Sequence, residues 1–446
     1  MGLTHLHSLS AAEAARLIHD GAISSAELVE ACLARVRETD AAVQAWAFLD
    51  PAYALEQARA ADAWRLGGRP TGPLHGVPVG VQDIFDTADM PTEHGSGLHA
   101  GRTPARDAAA VARLRAAGAV IMGKTVTTEL ASGAPGKTRN PHHPAHTPGG
   151  SASGSAAAVA AGMVPLALGS QSDGSTIRPA SFCGVYGFKP THGLIPRPGM
   201  LRLSRSLDQV GLFARALDDV ALLAEALAGF DERDPDTRPR ARVPFRDVAA
   251  EEPPLPPTFA FVKTSAWDRA EADTQAAFAE LAGVLGERME EVELSEACGE
   301  AFAWHRLILE AEMAANLDRE WAEGRDHLSA SLRAQLERGR EVRALDYQRA
   351  LARARALVES LAELFMLRYD AIVTPAAPGT APPGLDSTGD PVFCTLWTLC
   401  GMPALSLPLM QGANGLPIGV QLVGARDADA RLLRTARWLA GRVEAG

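Results

Sequence analysis

The sequence is short of lysine, of paired cysteine and of long apolar runs, and each shortage closes off a class of function. Lysine occurs only four times in 446 residues, at Lys124, Lys137, Lys189 and Lys263, so arginine supplies nearly all the positive charge. With 43 basic against 54 acidic residues the formal net charge is −11. That balance disfavours direct binding to nucleic acid or to an anionic membrane surface. The five cysteines, Cys32, Cys183, Cys298, Cys394 and Cys400, are scattered and form neither a CxxC pair nor a zinc spacing, so they read as reduced, buried thiols. No run of about 18 uninterrupted apolar residues is present to cross a bilayer. The start, Met1-Gly2-Leu3-Thr4-His5-Leu6, lacks a basic segment before an apolar one and fails the myristoylation pattern. These readings place the protein in the cytoplasm. A G-x-S-x-G nucleophile elbow is also missing, which disfavours a Ser-His-Asp hydrolase of the usual α/β type.

What is present is ordinary globular composition, 47% hydrophobic and 22% charged, with ample material for a large core. Ser10 with Glu13, and Ser24 with Glu27, are capping-box patterns that open two amphipathic helices. Val77 to Val81 reads as a short strand, Ala108 to Ala117 as a helix with Asp107 at its N-cap, and Ala119 to Met122 as a buried strand closed by Gly123. Ala156 to Met163 reads as a small-residue helix and Val164 to Leu168 as a strand. Residues 230 to 257 are charged and proline-rich and read as a surface connection. Residues 268 to 368 are mainly amphipathic helix. Strands return at Ala371 to Val373 and Ile418 to Val423, and a last helix starts near Asp427. Helices alternating with buried strands indicate an α/β protein, with one sheet built from both ends of the chain.

Two tempting motifs fail. Gly118, four residues, then Gly123-Lys124-Thr125 matches a phosphate-binding loop, but the intervening Ala-Val-Ile-Met is strand rather than loop, so Lys124 reads as structural. His142, His143 and His146 cluster, but Pro141 and Pro144 break any helix that would put two of them on one face, and no carboxylate joins them at ligand spacing.

The informative stretch is Gly149 to Thr191, two Gly/Ser loops separated by one helix and one strand. Gly149-Gly150-Ser151 precedes a helix and can turn backbone N–H groups toward a hydroxyl or anion. Ser172-Asp173-Gly174-Ser175 is a tight loop that can aim successive N–H groups at one point, as an oxyanion hole requires. Small residues in such numbers also serve close packing. Some forty residues of this stretch, with Arg178-Pro179-Ala180, Phe182-Cys183-Gly184 and Gly187-Phe188-Lys189-Pro190-Thr191, resemble the amidase signature of a large family of amide hydrolases. The similarity extends upstream through Gly76-Val77-Pro78-Val79, Asp83 and Gly123-Lys124-Thr125. Downstream it takes in Thr374-Pro375-Ala376 and Leu416 to Gln421.

The resemblance implies a single α/β/α domain over residues 1–446, with a large central mixed sheet flanked by helices, a core motif at 123–191 and a helical substrate-side region over roughly 265–368. It implies Ser175 as nucleophile, Ser151 as a bridging serine on a cis peptide, and an oxyanion hole from the N–H groups of Ser172, Asp173, Gly174 and Ser175. It implies a carboxylic amide as substrate, an acyl-enzyme, and no metal, nucleotide or organic cofactor. It also implies a buried lysine of lowered pKa that takes the proton from Ser151.

That lysine position is Gln82, which has no usable proton affinity near neutral pH. Of the four lysines, Lys124 and Lys189 match structural positions, and Lys137 is the least implausible substitute. Asp173 stands where glycine is common and Gln171 where aspartate is common; Gln171 is expected to pair with Arg178 or with backbone. Three readings follow: an amidase impaired at its base, a catalytically inactive ligand-binding pseudoamidase, or the amidase subunit of a tRNA-dependent amidotransferase. Trp304, Trp321, Trp397 and Phe393 read as core more readily than as pocket walls. A homodimer is the default assembly.

Overall fold

Apolar side chains that alternate along a strand must be met by a core on each face of the sheet they join. In the computed structural model, which describes residues 3–444, eleven strands form one sheet. They are β1 (Trp46–Leu49), β2 (Pro78–Gln82), β3 (Val120–Thr125), β4 (Leu166–Gln171), β5 (Tyr186–Lys189), β6 (Gln209–Ala214), β7 (Phe259–Phe261), β8 (Met289–Glu291), β9 (Ala371–Pro375), β10 (Ala404–Gln411) and β11 (Pro417–Val423). Their order across the sheet is β1-β3-β2-β4-β6-β5-β10-β11-β9-β7-β8. β2 runs parallel to both β3 and β4, and β7 runs parallel to both β8 and β9. The remaining pairs are antiparallel. The N- and C-terminal halves meet where Phe188 of β5 faces Leu405 of β10. The fold is the expected α/β architecture with a mixed sheet; residues 1–2 and 445–446 of the expected 1–446 span lie outside the described residues.

Ile121, Leu166, Leu168, Leu212, Val373 and Leu405 point into one core, which is closed by the helices Leu217–Leu227 and Asp429–Glu444. Their neighbours Val120, Met122, Ala167 and Phe213 point the other way, against the helices Ser25–Val43 and Ser153–Ala160. Ile372, Ala404 and Val423 do the same in the C-terminal half, against Ala344–Leu367 and Val392–Leu399.

Several boundaries move. β2 starts one residue later than expected and so ends on Gln82. β3 does not stop at Gly123 but runs to Thr125, because β1 pairs across it; a Cβ on Gly123 would sit 2.5 Å from the Phe48 carbonyl oxygen. The helix Ala109–Ala116 has Ala108 at its cap, since the Asp107 carboxylate is held by Ala88 N–H and Arg115. The small-residue helix spans Ser153–Ala160 and the following strand Leu166–Gln171, so each is offset from its expected place. The full capping box forms at Ser24; at Ser10 only the Glu13 N–H to Ser10 Oγ bond is made. The connection 230–257 contains a short helix, Phe245–Ala250, whose Phe245 is fully buried.

Candidate active site

Parallel β2, β3 and β4 bring their carboxyl ends to one side of the sheet, where open α/β sheets place their ligands. Gln82 ends β2, Thr127 follows β3, and the turn Ser172–Ser175 follows β4. The Gln82 side chain is fully buried, with Nε2 donating to Thr127 Oγ1 at 2.8 Å and to Ser151 Oγ at 3.4 Å. Its Oε1 accepts from Ser170 Oγ at 3.5 Å. Both protons of the amide nitrogen are thus committed, one accepted by Thr127 Oγ1 and the other by Ser151 Oγ. The peptide bond Gly150–Ser151 is cis. Ser151 is held in place by its own carbonyl, which accepts from Thr128 N–H at 3.2 Å.

Behind Ser151, the helix Ser153–Ala160 lies against backbone; a Cβ on Gly154 would come within 2.3 Å of both Ala45 O and Val126 N. Small residues here serve close approach, and that approach sets Ser151 beside Gln82.

The turn after β4 is fixed from three sides. Gln171 Oε1 accepts from Thr176 N–H at 2.9 Å and Ile177 N–H at 3.0 Å, so it pairs with backbone as one of the two expectations had it. The Ser172 hydroxyl donates at 2.6 Å to Asp208, a buried carboxylate whose other oxygen accepts from Leu203 and Ser204 N–H, each at 2.9 Å. Burial pushes the Asp208 carboxyl up to about 6, against the lowering effect of those hydrogen bonds. Asp208 reaches Ser172 because Gln171 pairs with Gln209 across β4 and β6. On the third side, His305 Nε2 donates to the Ser172 carbonyl at 2.8 Å, which fixes the proton on that nitrogen since a carbonyl only accepts. Thr398 Oγ1 donates to the Asp173 carbonyl at 2.5 Å. The backbone N–H groups of Asp173, Gly174 and Ser175 meet no acceptor among the described residues, and Ser175 itself is half-buried.

Arg178 is not Gln171's partner. Its buried guanidinium donates to Gly150 O at 2.8 Å and to Thr388 Oγ1 at 3.1 Å, tying the helix Ile177–Cys183 to the loop of Ser151.

None of the lysines is hydrogen-bonded to Gln82 or Ser151 among the described residues. Lys124 is fully buried in β3, its Nζ donating to Phe85 O at 2.9 Å and Thr92 Oγ1 at 2.6 Å, with Asp83 at 3.4 Å. Lys189 donates to Gln209 Oε1 and Met402 O. Lys137 is exposed, and Lys263 pairs with Glu291. His142 and His146 are spent on the carbonyls of Cys183 and Ala381. No group of three or more His, Cys, Asp or Glu side chains suited to hold a metal ion occurs among the described residues.

A cavity of about 560 Å³ opens beside the turn at Asp173, with His305 and Thr395 next to Asp173 and Phe302, Leu309 and Met313 on its wall. Residues of the helices Ala301–Asn316 and Ala330–Glu341, within the helical stretch after residue 268, line this cavity. Trp397 and Phe393 are core, while Trp304 and Trp321 are covered by arginines, and none of the four lines this cavity. Asp208, His305 and Thr395 carry no motif in the sequence; only the pairing of β4 with β6 and the packing of two helices reveal them.

Known proteins resemble the chain over nearly its whole length. The chain is 35% identical to a glutamyl-tRNA(Gln) amidotransferase subunit of Chloroflexus aurantiacus, over 97% of this chain and 96% of that one. In structure it is similar to the native peptide amidase of Stenotrophomonas maltophilia, with a TM-score of 0.86, 29% identity, and 98% of this chain and 97% of that one covered. It is also similar to a 6-aminohexanoate cyclic dimer hydrolase complexed with substrate, with a TM-score of 0.87, 25% identity, and 99% and 98% covered. No described helix is long and apolar enough to cross a membrane. Since the Amidase family model matches residues 27–433, and relatives align from end to end, the chain belongs to the amidase family.

Proposed function

We propose that this chain binds a small carboxylic amide against Ser175 and hydrolyses it to an acid and an amine or ammonia through a Ser175 acyl-enzyme. A serine hydroxyl is a weak nucleophile until its proton is accepted, and Ser151 relays that proton. The N–H groups of Ser172, Asp173, Gly174 and Ser175 receive the oxyanion. The observation that carries this reading is the turn itself: the last three of those N–H groups are unspent beside a half-buried serine, in a segment fixed by Gln171, Asp208 and His305. Gln82 occupies the place of the base and only donates to Ser151. The native chain therefore turns over slowly, about 10²–10⁴-fold below a form with a competent base.

The test is an assay of the native chain and its Gln82→Lys variant against a panel of simple amides, with Ser175→Ala as blank. Hydrolysis that rises with Gln82→Lys and vanishes with Ser175→Ala supports the reading. Equal activity of the native and Gln82→Lys forms means that another group accepts the proton.

Two further readings have their own support. The commitment of both Gln82 amide protons favours a pseudoamidase that binds amides without turning them over; inactivity of Gln82→Lys with retained amide binding would select it. The similarity to glutamyl-tRNA(Gln) amidotransferase subunits favours an amidase subunit of such an enzyme, cytoplasmic and working with partner subunits rather than as a homodimer. Size measurement of the native protein purified from its source separates these assemblies.

A further inference from the structure

Asp173 places a carboxylate within the turn proposed to receive the oxyanion, on the side of the neighbouring cavity. Its side chain is 28% exposed. One oxygen, Oδ1, accepts from the neutral Thr395 hydroxyl at 2.6 Å, and His305 Nε2, already committed to the Ser172 carbonyl, lies 3.9 Å away. The other oxygen has no hydrogen-bond partner among the described residues. No lysine or arginine among them forms an ion pair with it.

The other charges that line the cavity are paired with one another, Arg306 excepted. Arg269 is paired with Asp390, and Arg338 with the buried Glu310. Arg306 lies exposed to solvent. No cation among the described residues contacts the Asp173 carboxylate: the buried Arg178 acts on it only through space, its guanidinium donating instead to Gly150 O and Thr388 Oγ1. A carboxylate so close to a developing oxyanion opposes it, because like charges in a partly desolvated site repel. A cation supplied by the substrate would satisfy the free oxygen and offset that repulsion in the same contact.

We propose that Asp173 is a specificity-determining residue that selects amides carrying an ammonium group beside the scissile carbonyl, as in an α-amino acid amide. The apolar wall of Phe302, Leu309, Met313 and Val392 then receives that amide's side chain. This rests on the proposed amide site at Ser175, and it makes Asp173, a departure from the small residue common at this position, the reason the chain would reject neutral amides.

The test needs no turnover. The Ser175→Ala protein is titrated calorimetrically, just below neutral pH, with three probes of one shape: phenylalaninamide, 2-methyl-3-phenylpropanamide, in which methyl replaces ammonium, and benzylmalonic acid monoamide, in which carboxylate replaces it. The expected order is ammonium first, neutral second and carboxylate last, with the first step about tenfold or more. In Asp173→Asn, whose thermal melt checks folding, the ratio of ammonium to neutral affinity falls to about one. Equal binding of the ammonium and neutral probes, a preference that survives Asp173→Asn, or tightest binding of the carboxylate probe overturns the assignment. Binding of none of the three overturns the amide site and this inference with it, so the two failures are distinguishable.

Discussion

The Ser172 hydroxyl donates at 2.6 Å to Asp208, a buried carboxylate 36 residues away. This bond ties the turn Ser172–Ser175 to the start of β6, and it carries a pH dependence. Burial lifts the Asp208 carboxyl from 3.8 to about 6. Between those two values the folded protein keeps a proton that the unfolded chain has released. The stabilising contribution of this group is therefore full below the unfolded value and is lost as pH rises through the folded one. Urea denaturation of the native chain and Asp208→Asn at both ends of the window should show it. The stability of the native chain relative to Asp208→Asn is expected to fall by about 3 kcal/mol from the acid end to the neutral end. A difference that does not change with pH contradicts the assignment.

Gln82 and Ser151 predict a specific non-additivity. If Ser151 passes a proton to the residue at position 82, its hydroxyl matters only when that residue can accept. In the Gln82→Lys background, Ser151→Ala should lower kcat by about 10²–10⁴-fold. In the native background the same substitution should lower it far less, because the relay is already broken at Gln82. A kinetic cycle over the four forms measures the coupling. Equal effects in both backgrounds would mean that Ser151 acts through packing alone.

Lys124 illustrates how a buried cation can be structural. Burial pulls its ammonium down to about 8, yet the nitrogen is surrounded by acceptors: Phe85 O, Pro91 O, Thr92 Oγ1 and Asp83. Lys124→Met would leave the Asp83 carboxylate buried without its cation and the Phe85 carbonyl without its donor. The expected loss is about 3–5 kcal/mol, read from the urea midpoint. A loss under about 1 kcal/mol would show that Lys124 is dispensable to the fold and would return it to consideration as a working group.

The parts of this fold that the sequence made legible were those with local signals. Ser24 and Glu27 announce their helix because the reciprocal capping bonds need only three residues of chain. The Gly/Ser stretch drew attention to Ser151 and Ser175 because glycine and serine at that density mark close approach, and the family resemblance then gave them candidate roles. What stayed hidden depends on register. β6 (Gln209–Ala214) is buried on both faces and shows no alternation, so neither the strand nor the delivery of Asp208 to Ser172 by the Gln171–Gln209 pair could be read beforehand. β8 is three residues long inside an otherwise helical region, too short to leave a pattern. His305 and Thr395 reach the turn from helices whose packing angle no local signal encodes.

The same register makes one glycine decisive. Gly211, in the middle of β6, lies under Thr176, the residue that follows Ser175, and a Cβ there would sit 1.9 Å from Thr176 Oγ1 and 2.9 Å from both its Cβ and its Cγ2. The threonine cannot swing aside freely, because its N–H is held by Gln171 Oε1 and its hydroxyl donates to Ser170 O at 3.0 Å. Gly211→Ala must therefore push the Thr176 end of the turn outward, and with it Ser175. Overpacking of this kind costs about 1–3 kcal/mol in stability. The loss of rate should be larger than that suggests, because an ångström of misplacement at the reacting atoms costs about 10²-fold. In the Gln82→Lys background, Gly211→Ala is expected to remain folded by circular dichroism while kcat falls by about 10²-fold. Thr176→Gly added to it, which removes all three atoms the new methyl meets, should restore part of that rate. If Gly211→Ala leaves kcat intact, the turn is not held from β6, and its geometry must be set by Gln171, His305 and Thr398.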